Sequence, residues 1–131
     1  MTAPEAPFPD LELPVEVSRA ASLLAERKAA DVSLLDLRGI STAADFFLVA
    51  SGRSDVHVTA ISEHLVEGMK RVGAQPAGVE GLGGGRWVLI DFFDLVVHVF
   101  HPATREFYQL ETLWGDAPLH RLAGNSPASD G

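Results

Sequence analysis

The stretch from Trp87 to His101 constrains this chain more than any other. Two apolar runs, Trp87 to Phe92 and Leu95 to His101, are separated only by Phe93-Asp94, the pattern of antiparallel strands joined by a tight turn. With a two-residue loop at Phe93-Asp94, Trp87 faces Phe100, Leu89 faces His98 and Asp91 faces Val96. Strand alternation then gathers Val88, Ile90, Phe92, Leu95, Val97 and Val99 on one side, an entirely apolar core face. The other side carries Trp87, Leu89, Asp91, Val96, His98 and Phe100. It is too apolar to meet only water and too polar for a dry core. Tryptophan is enriched among interface anchors, so this side is either covered by a helix or offered to a partner. A three-residue loop would shift the register and undo the assignment.

The rest of the chain supplies more strands and the helices to cover them. Pro14 suits the first turn of a helix, continued by Val17, Ala20, Ala21 and Leu24 at helical spacing and fading by Ala30. Val32 to Leu37 is a short β-type run closed by Gly39, and Phe46 to Ala50 reads as a central strand. Ser54 or Asp55 caps a second helix with the stripe Val58, Ile61, Leu65, Met69 and Val72, ended by Gly73. Ala77 to Val79 is a weak strand. Pro102 opens a last helix through Phe107, Leu110, Leu113 and Trp114, stopped by Gly115. The order α-β-β-α-β-β-β-α predicts a single α/β domain of the α+β type. Its mixed sheet has about five strands, adjacent strands form hairpins, one right-handed crossover spans residues 46 to 79, and the helices lie mostly on one face. Residues 1–13, with prolines at 4, 7 and 9, read as a flexible leader, residues 14–115 as the domain, and residues 116–131 as a flexible tail.

Composition removes whole classes of function. With 131 residues, 47% of them hydrophobic, one globular core is affordable. Cysteine is absent, which excludes a disulfide scaffold, a thiol nucleophile and a Cys-ligated zinc site. Ten Lys and Arg against eighteen Asp and Glu give a net charge of −8, the wrong sign for a protein held to nucleic acid mainly through phosphates. Nor does the start resemble a targeting signal: the first basic residue is Arg19, after four acidic ones. No apolar run reaches the roughly 18 residues that span a bilayer. These features predict a cytoplasmic chain without membrane contact.

The candidate chemical motifs are weak. Gly81-Leu-Gly-Gly-Gly85 runs into a strand rather than a helix and lacks a Gly-Lys-Ser/Thr ending, so it reads as a hairpin loop and not a phosphate loop. Gly52-Arg-Ser-Asp55 stands between a strand and a helix, where free N–H groups suit an anion, but a capped turn explains it equally. His98 and His101 fall on opposite sides of a strand. His57 and His64 share a helix face without a third ligand, so no metal site is expected. Asp91 and Asp94 flank a turn, where Asp bonds the backbone. No catalytic constellation stands out, and neither enzyme activity nor a cofactor is expected.

Several stretches together resemble the ribosomal silencing factors, also called the Iojap-related family. They are Asp31-Val-Ser-Leu-Leu-Asp-Leu-Arg-Gly39, Ala44-Asp-Phe46 with Val49-Ala-Ser-Gly52, Pro76-Ala-Gly-Val-Glu-Gly81, Trp87 through Phe100, Arg105-Glu-Phe-Tyr108 and Leu113-Trp-Gly115. They span roughly Val17 to Gly115. The resemblance implies a nucleotidyltransferase-like fold, often dimeric when free. It also implies a factor that binds the large ribosomal subunit through ribosomal protein L-fourteen, with nucleic acid met only as neighbouring rRNA. Such a factor blocks joining of the small subunit and lowers translation under nutrient limitation; a role in large-subunit assembly is proposed for relatives. The family's interface tryptophan corresponds to Trp87; strand alternation, not the family, adds Leu89, His98 and Phe100 beside it as expected partner-binding residues. The leader, the tail and the Gly-rich loop from Leu82 to Arg86 depart from the family pattern.

Two other classes remain. A small nucleotidyltransferase would use Gly52-Arg-Ser54 for phosphate, but it also needs metal-binding carboxylates spaced Asp-x-Asp, and Asp91 and Asp94 are three apart across a turn. A structural dimer without a ribosomal role is the other.

Overall fold

Backbone breakers set the limits of the first elements. Pro14 is the N-cap of α1, Val15–Glu26. The helix ends there rather than at Ala30 because Lys28 turns left-handed, with φ 58°, and the chain enters β1, Ala30–Asp36. β2 is Phe46–Ser51. Ser54 caps α2, Asp55–Arg71, by accepting the His57 N–H, and Gly73 closes it at φ 84°, as a glycine past a helix end does. β3, Gly78–Glu80, β4, Trp87–Asp91, and β5, Leu95–Phe100, follow. The computed structural model describes Phe8 and residues 11–122.

The β4–β5 turn is the two-residue loop that the alternation requires. Trp87 faces Phe100, Leu89 faces His98 and Asp91 faces Val96. Phe93 takes the left-handed conformation, φ 73°, and its N–H is held by the Asp91 carboxylate at 2.7 Å. Asp91 is thus a turn residue.

Among the described residues the sheet has six strands in the order β3-β4-β5-β2-β1-β6, one more than the sequence suggested. Its centre is parallel: β2 runs beside β5, from Phe46 opposite Leu95 to Ser51 opposite Phe100. The crossover through α2 therefore carries the chain past β5 and β4 to β3 at the sheet edge, and the remaining pairs are antiparallel. One face, including Leu34, Leu48, Val97 and Val99, packs under α1 and α2 in the main core. There α1 and α2 approach closely: a Cβ on Gly68 would lie 2.4 Å from Leu23 Cδ2.

Two expectations about the C-terminal part need correction. The last helix is broken at Gln109, whose φ of 48° splits it into α3, Pro102–Tyr108, and α4, Leu110–Leu113. The break lets α3 and α4 bend over the second face of the sheet, where Leu35, Leu37, Val49, Phe100, Leu110 and Ala117 form a smaller core. Residues 116–122 are not loose either. Leu119–Arg121 form β6, with Leu34 opposite His120, the Asp36 N–H donates to Pro118 O, and Leu122 is buried. Three residues are too few to show strand alternation, and pairing along the edge of β1 fixes them instead. On the leader side Phe8 is buried, and Leu11 and Leu13 pack against the core. The rest of the expected leader and tail, residues 1–7, 9–10 and 123–131, lies outside the described residues.

Candidate partner-binding face

The mixed face of the hairpin divides into a buried half and an accessible half. Phe100 is 0% exposed and His98 3%, because Phe47 and Trp114 close over them from β2 and the segment after α4. This corrects the expectation that both meet a partner directly: helix cover and partner surface share one side of the sheet. Trp87 and Leu89 are half-buried and reach the surface.

Trp87 is held from three sides. Its ring stacks on Phe100 at 4.8 Å between centroids, and Tyr108 of α3 lies 4.9 Å away. The indole N–H donates to His98 Nδ1 at 3.1 Å. An indole N–H only donates, so Nδ1 accepts and the imidazole proton sits on Nε2. Among the described residues Nε2 has no hydrogen-bond partner. Burial pushes the His98 pKa down to about 4, because a charged imidazole there would lose its hydration. His98 is therefore a neutral prop beneath the tryptophan.

The accessible half continues along α3. Tyr108 is 48% exposed and Phe107 80%, with ring centroids 5.0 Å apart. Trp87, Tyr108 and Phe107 make a row of three aromatic rings open to solvent, with Leu113 of α4 also exposed. Helical stripe reasoning placed Phe107 toward the core and overlooked Tyr108. The signal was present, since two adjacent aromatics cannot both face inward from one short helix.

Arg105 holds this helix down. It is buried, and its Nη1 donates to Asp31 O at 2.8 Å and Ser51 Oγ at 2.9 Å. Its Nε donates to Glu111 Oε1 at 3.1 Å, tying α3 to α4. Asp31, at φ 50° beside a register irregularity in β1, also pairs with Arg121 of β6. One guanidinium thus joins β1, β2, α3 and α4.

The other singled-out residues serve structure. His101 Nδ1 accepts the Ala103 N–H at the start of α3. The Gly-rich segment is the β3–β4 connection. A Cβ on Gly81, at φ 84°, would fall 2.0 Å from Trp87 O, and one on Gly85, at φ 67°, 2.6 Å from Asp55 O. No side-chain group of three or more metal-ligating residues occurs among the described residues. None of their helices is long and apolar enough to cross a membrane.

The family described as "Ribosomal silencing factor during starvation" matches residues 10–130. The chain belongs to the ribosomal silencing factors. The Bacillus subtilis ribosomal silencing factor RsfS is 46% identical over 103 residues, covering 79% of this chain and 87% of that protein. A crystal structure of a Chromobacterium violaceum protein superposes with a TM-score of 0.77 at 34% identity, covering 80% of this chain and 88% of that one. A mouse protein named "Mitochondrial assembly of ribosomal large subunit protein 1" is 30% identical over 102 residues, 76% of this chain and 45% of its own length.

Proposed function

We propose that this silencing factor acts in the cytoplasm by seating the Trp87–Tyr108–Phe107 row, with Leu89 beside it, on the large ribosomal subunit at ribosomal protein L-fourteen. Seated there, it keeps the small subunit from joining and so lowers translation during starvation. The observation that carries this reading is the aromatic row itself: three rings in sequence contact, one of them 80% exposed. Contiguous exposed aromatics mark interaction sites. His98 and Phe100 act in it indirectly, as the prop and the plate that set the angle of Trp87. A second copy of the chain covers the same row when no ribosome is present.

The action is binding and not turnover. The Asp91 carboxylate is engaged by the turn at Phe93 N–H, and Ser54 of the rival phosphate motif is engaged as a helix cap. Cosedimentation with purified large subunits, followed by a joining assay with small subunits, tests the reading. Wild-type protein should pellet with large subunits and reduce joined ribosomes. Failure to pellet, or magnesium-dependent nucleotide turnover lost in Asp91→Ala, would overturn it.

A further inference from the structure

The charge balance hides a local exception. Of the ten Lys and Arg in the chain, five form ion pairs among the described residues. Of the remaining five, three line a single open cavity of about 410 Å³: Arg27, Lys28 and Arg53, together with Glu26 and His57. Three cations against one carboxylate leave this cavity net positive in a chain of net charge −8. The carboxylate is itself engaged, with Glu26 Oε1 2.9 Å from His64 Nε2.

The cavity is braced. His57 Nδ1 accepts the Arg53 N–H at 2.9 Å, and Nε2 lies 2.8 Å from Arg27 O. Since Nδ1 accepts, Nε2 carries the proton and donates to that carbonyl. One imidazole thus clamps the turn after α1 to the turn before α2. Three of the N–H groups around this turn already have acceptors. Gly52 N–H goes to Phe100 O, Arg53 N–H to His57 and His57 N–H to Ser54 Oγ. The charge that would hold an anion here comes from the cationic side chains lining the cavity. Two guanidinium forks and an ammonium, all exposed, suit the tetrahedral oxygens of phosphate.

Position relates the cavity to the aromatic row. Ser51 of β2 lies opposite Phe100, and Phe100 opposite Trp87, in one line across the sheet. Ser51, two residues before Arg53, is two strand spacings or about 10 Å from Trp87, so the cavity lies toward the same end of the sheet. We propose that Arg27, Lys28 and Arg53, braced by His57, form a phosphate-binding site. The phosphate belongs either to the ribosomal RNA backbone beside the docked factor or to a free nucleotide, and the first source rests on the large-subunit reading above.

The test compares the full chain with R27Q/K28Q/R53Q, and with R19Q/K70Q as a control for charge removed elsewhere. In one arm, cosedimentation with large subunits is measured across a salt series. Loss of two or three phosphate contacts should flatten the slope of log affinity against log salt by about 2, at about 0.7–0.9 per contact. The control should keep the wild-type slope. In the other arm, pyrophosphate and then ATP are titrated into isolated protein and followed by amide chemical shifts of residues 26–28 and 53–57. A flattened slope in the triple variant identifies RNA phosphate. An unchanged slope, with pyrophosphate or ATP shifts present in wild type and lost in the variant, identifies a free nucleotide. If the triple variant matches wild type in both arms, or the control changes as much as the triple variant, the site is refuted. Should wild type fail to bind large subunits, the titration alone still decides whether the site exists.

Discussion

Acid should destabilise this protein through one side chain, His98. The imidazole is 3% exposed, and burial lowers its pKa from 6.5 to about 4. In the unfolded chain it titrates at the ordinary value. Between pH 6.5 and 4 the unfolded state therefore binds a proton that the folded state refuses, and stability falls as pH falls. The contribution of neutral His98 is complete above pH 6.5 and lost by about pH 4. At about 1.4 kcal/mol per pH unit the full loss is about 3 kcal/mol, roughly half of it reached near pH 5. Protonation would also place a second donor against the Trp87 N–H, which now donates to Nδ1 at 3.1 Å. Urea melts at pH 7, 6, 5 and 4.5 on wild type and His98→Phe isolate the effect. Phenylalanine keeps an aromatic plate between Phe47 and Phe100 but takes no proton, while the four other histidines and the carboxylates cancel in the difference. The variant pays a fixed amount for the lost hydrogen bond, about 1 kcal/mol. The wild-type advantage should shrink by about 3 kcal/mol toward low pH. Parallel curves would show that His98 accepts its proton in the folded state and does not prop Trp87.

Three further outcomes are expected. Trp87→Ala should weaken large-subunit binding by about 2–4 kcal/mol, and it should also lower the melting temperature, because it uncovers Phe100 and His98; Phe107→Ala, on an 80% exposed ring, should weaken binding with an unchanged melt, and normal pelleting of both variants would remove the aromatic row from the interface. Gly81→Ala should destabilise by about 2 kcal/mol or more, since its Cβ meets Trp87 O at 2.0 Å with φ at 84°; Gly39→Ala, at φ 79° with nothing within 4 Å, should cost only about 1 kcal/mol, and equal thermal shifts would contradict the contact. Ending the chain after Gly115 should cost about 3 kcal/mol, about 2 of it from buried Leu122 and the rest from the bared edge of β1, read as a lower melting temperature; an unchanged melt would show that β6 adds nothing to stability.

The hairpin was legible because alternation and a two-residue turn allow one register: every pair from Trp87–Phe100 to Asp91–Val96 follows from Phe93-Asp94. The stripe of α2 and its Ser54 cap were legible for the same local reason. What escaped depends on partners distant in sequence. β6 is a strand because β1 offers an edge, and nothing within Leu119–Arg121 announces it. The burial of His98 and Phe100 depends on Phe47 and Trp114, which the sequence cannot bring to them without knowing that the helix breaks at Gln109. Nothing in the sequence brings Asp31, Ser51 and Glu111 together on Arg105. The basic cavity is spread over two turns whose proximity only His57 makes visible.

The placing of β1 between β2 and β6 has a consequence for how the chain is made. A nascent polypeptide completes the β1–β2 pair long before residues 95–100 and 119–121 exist to flank it. At about 5–20 residues per second, the outer edge of β1 then stays bare for about 4–14 s. During that interval two strands rich in Leu, Val and Phe present unsatisfied backbone donors and acceptors to any other chain nearby. α1 and α2 form locally and can shield one surface of the ribbon, but neither reaches its edges. Synthesis interrupted between Gly115 and Leu122 should therefore release aggregating chains that need a chaperone, and the last few residues of the sheet act as the seal on everything translated before them.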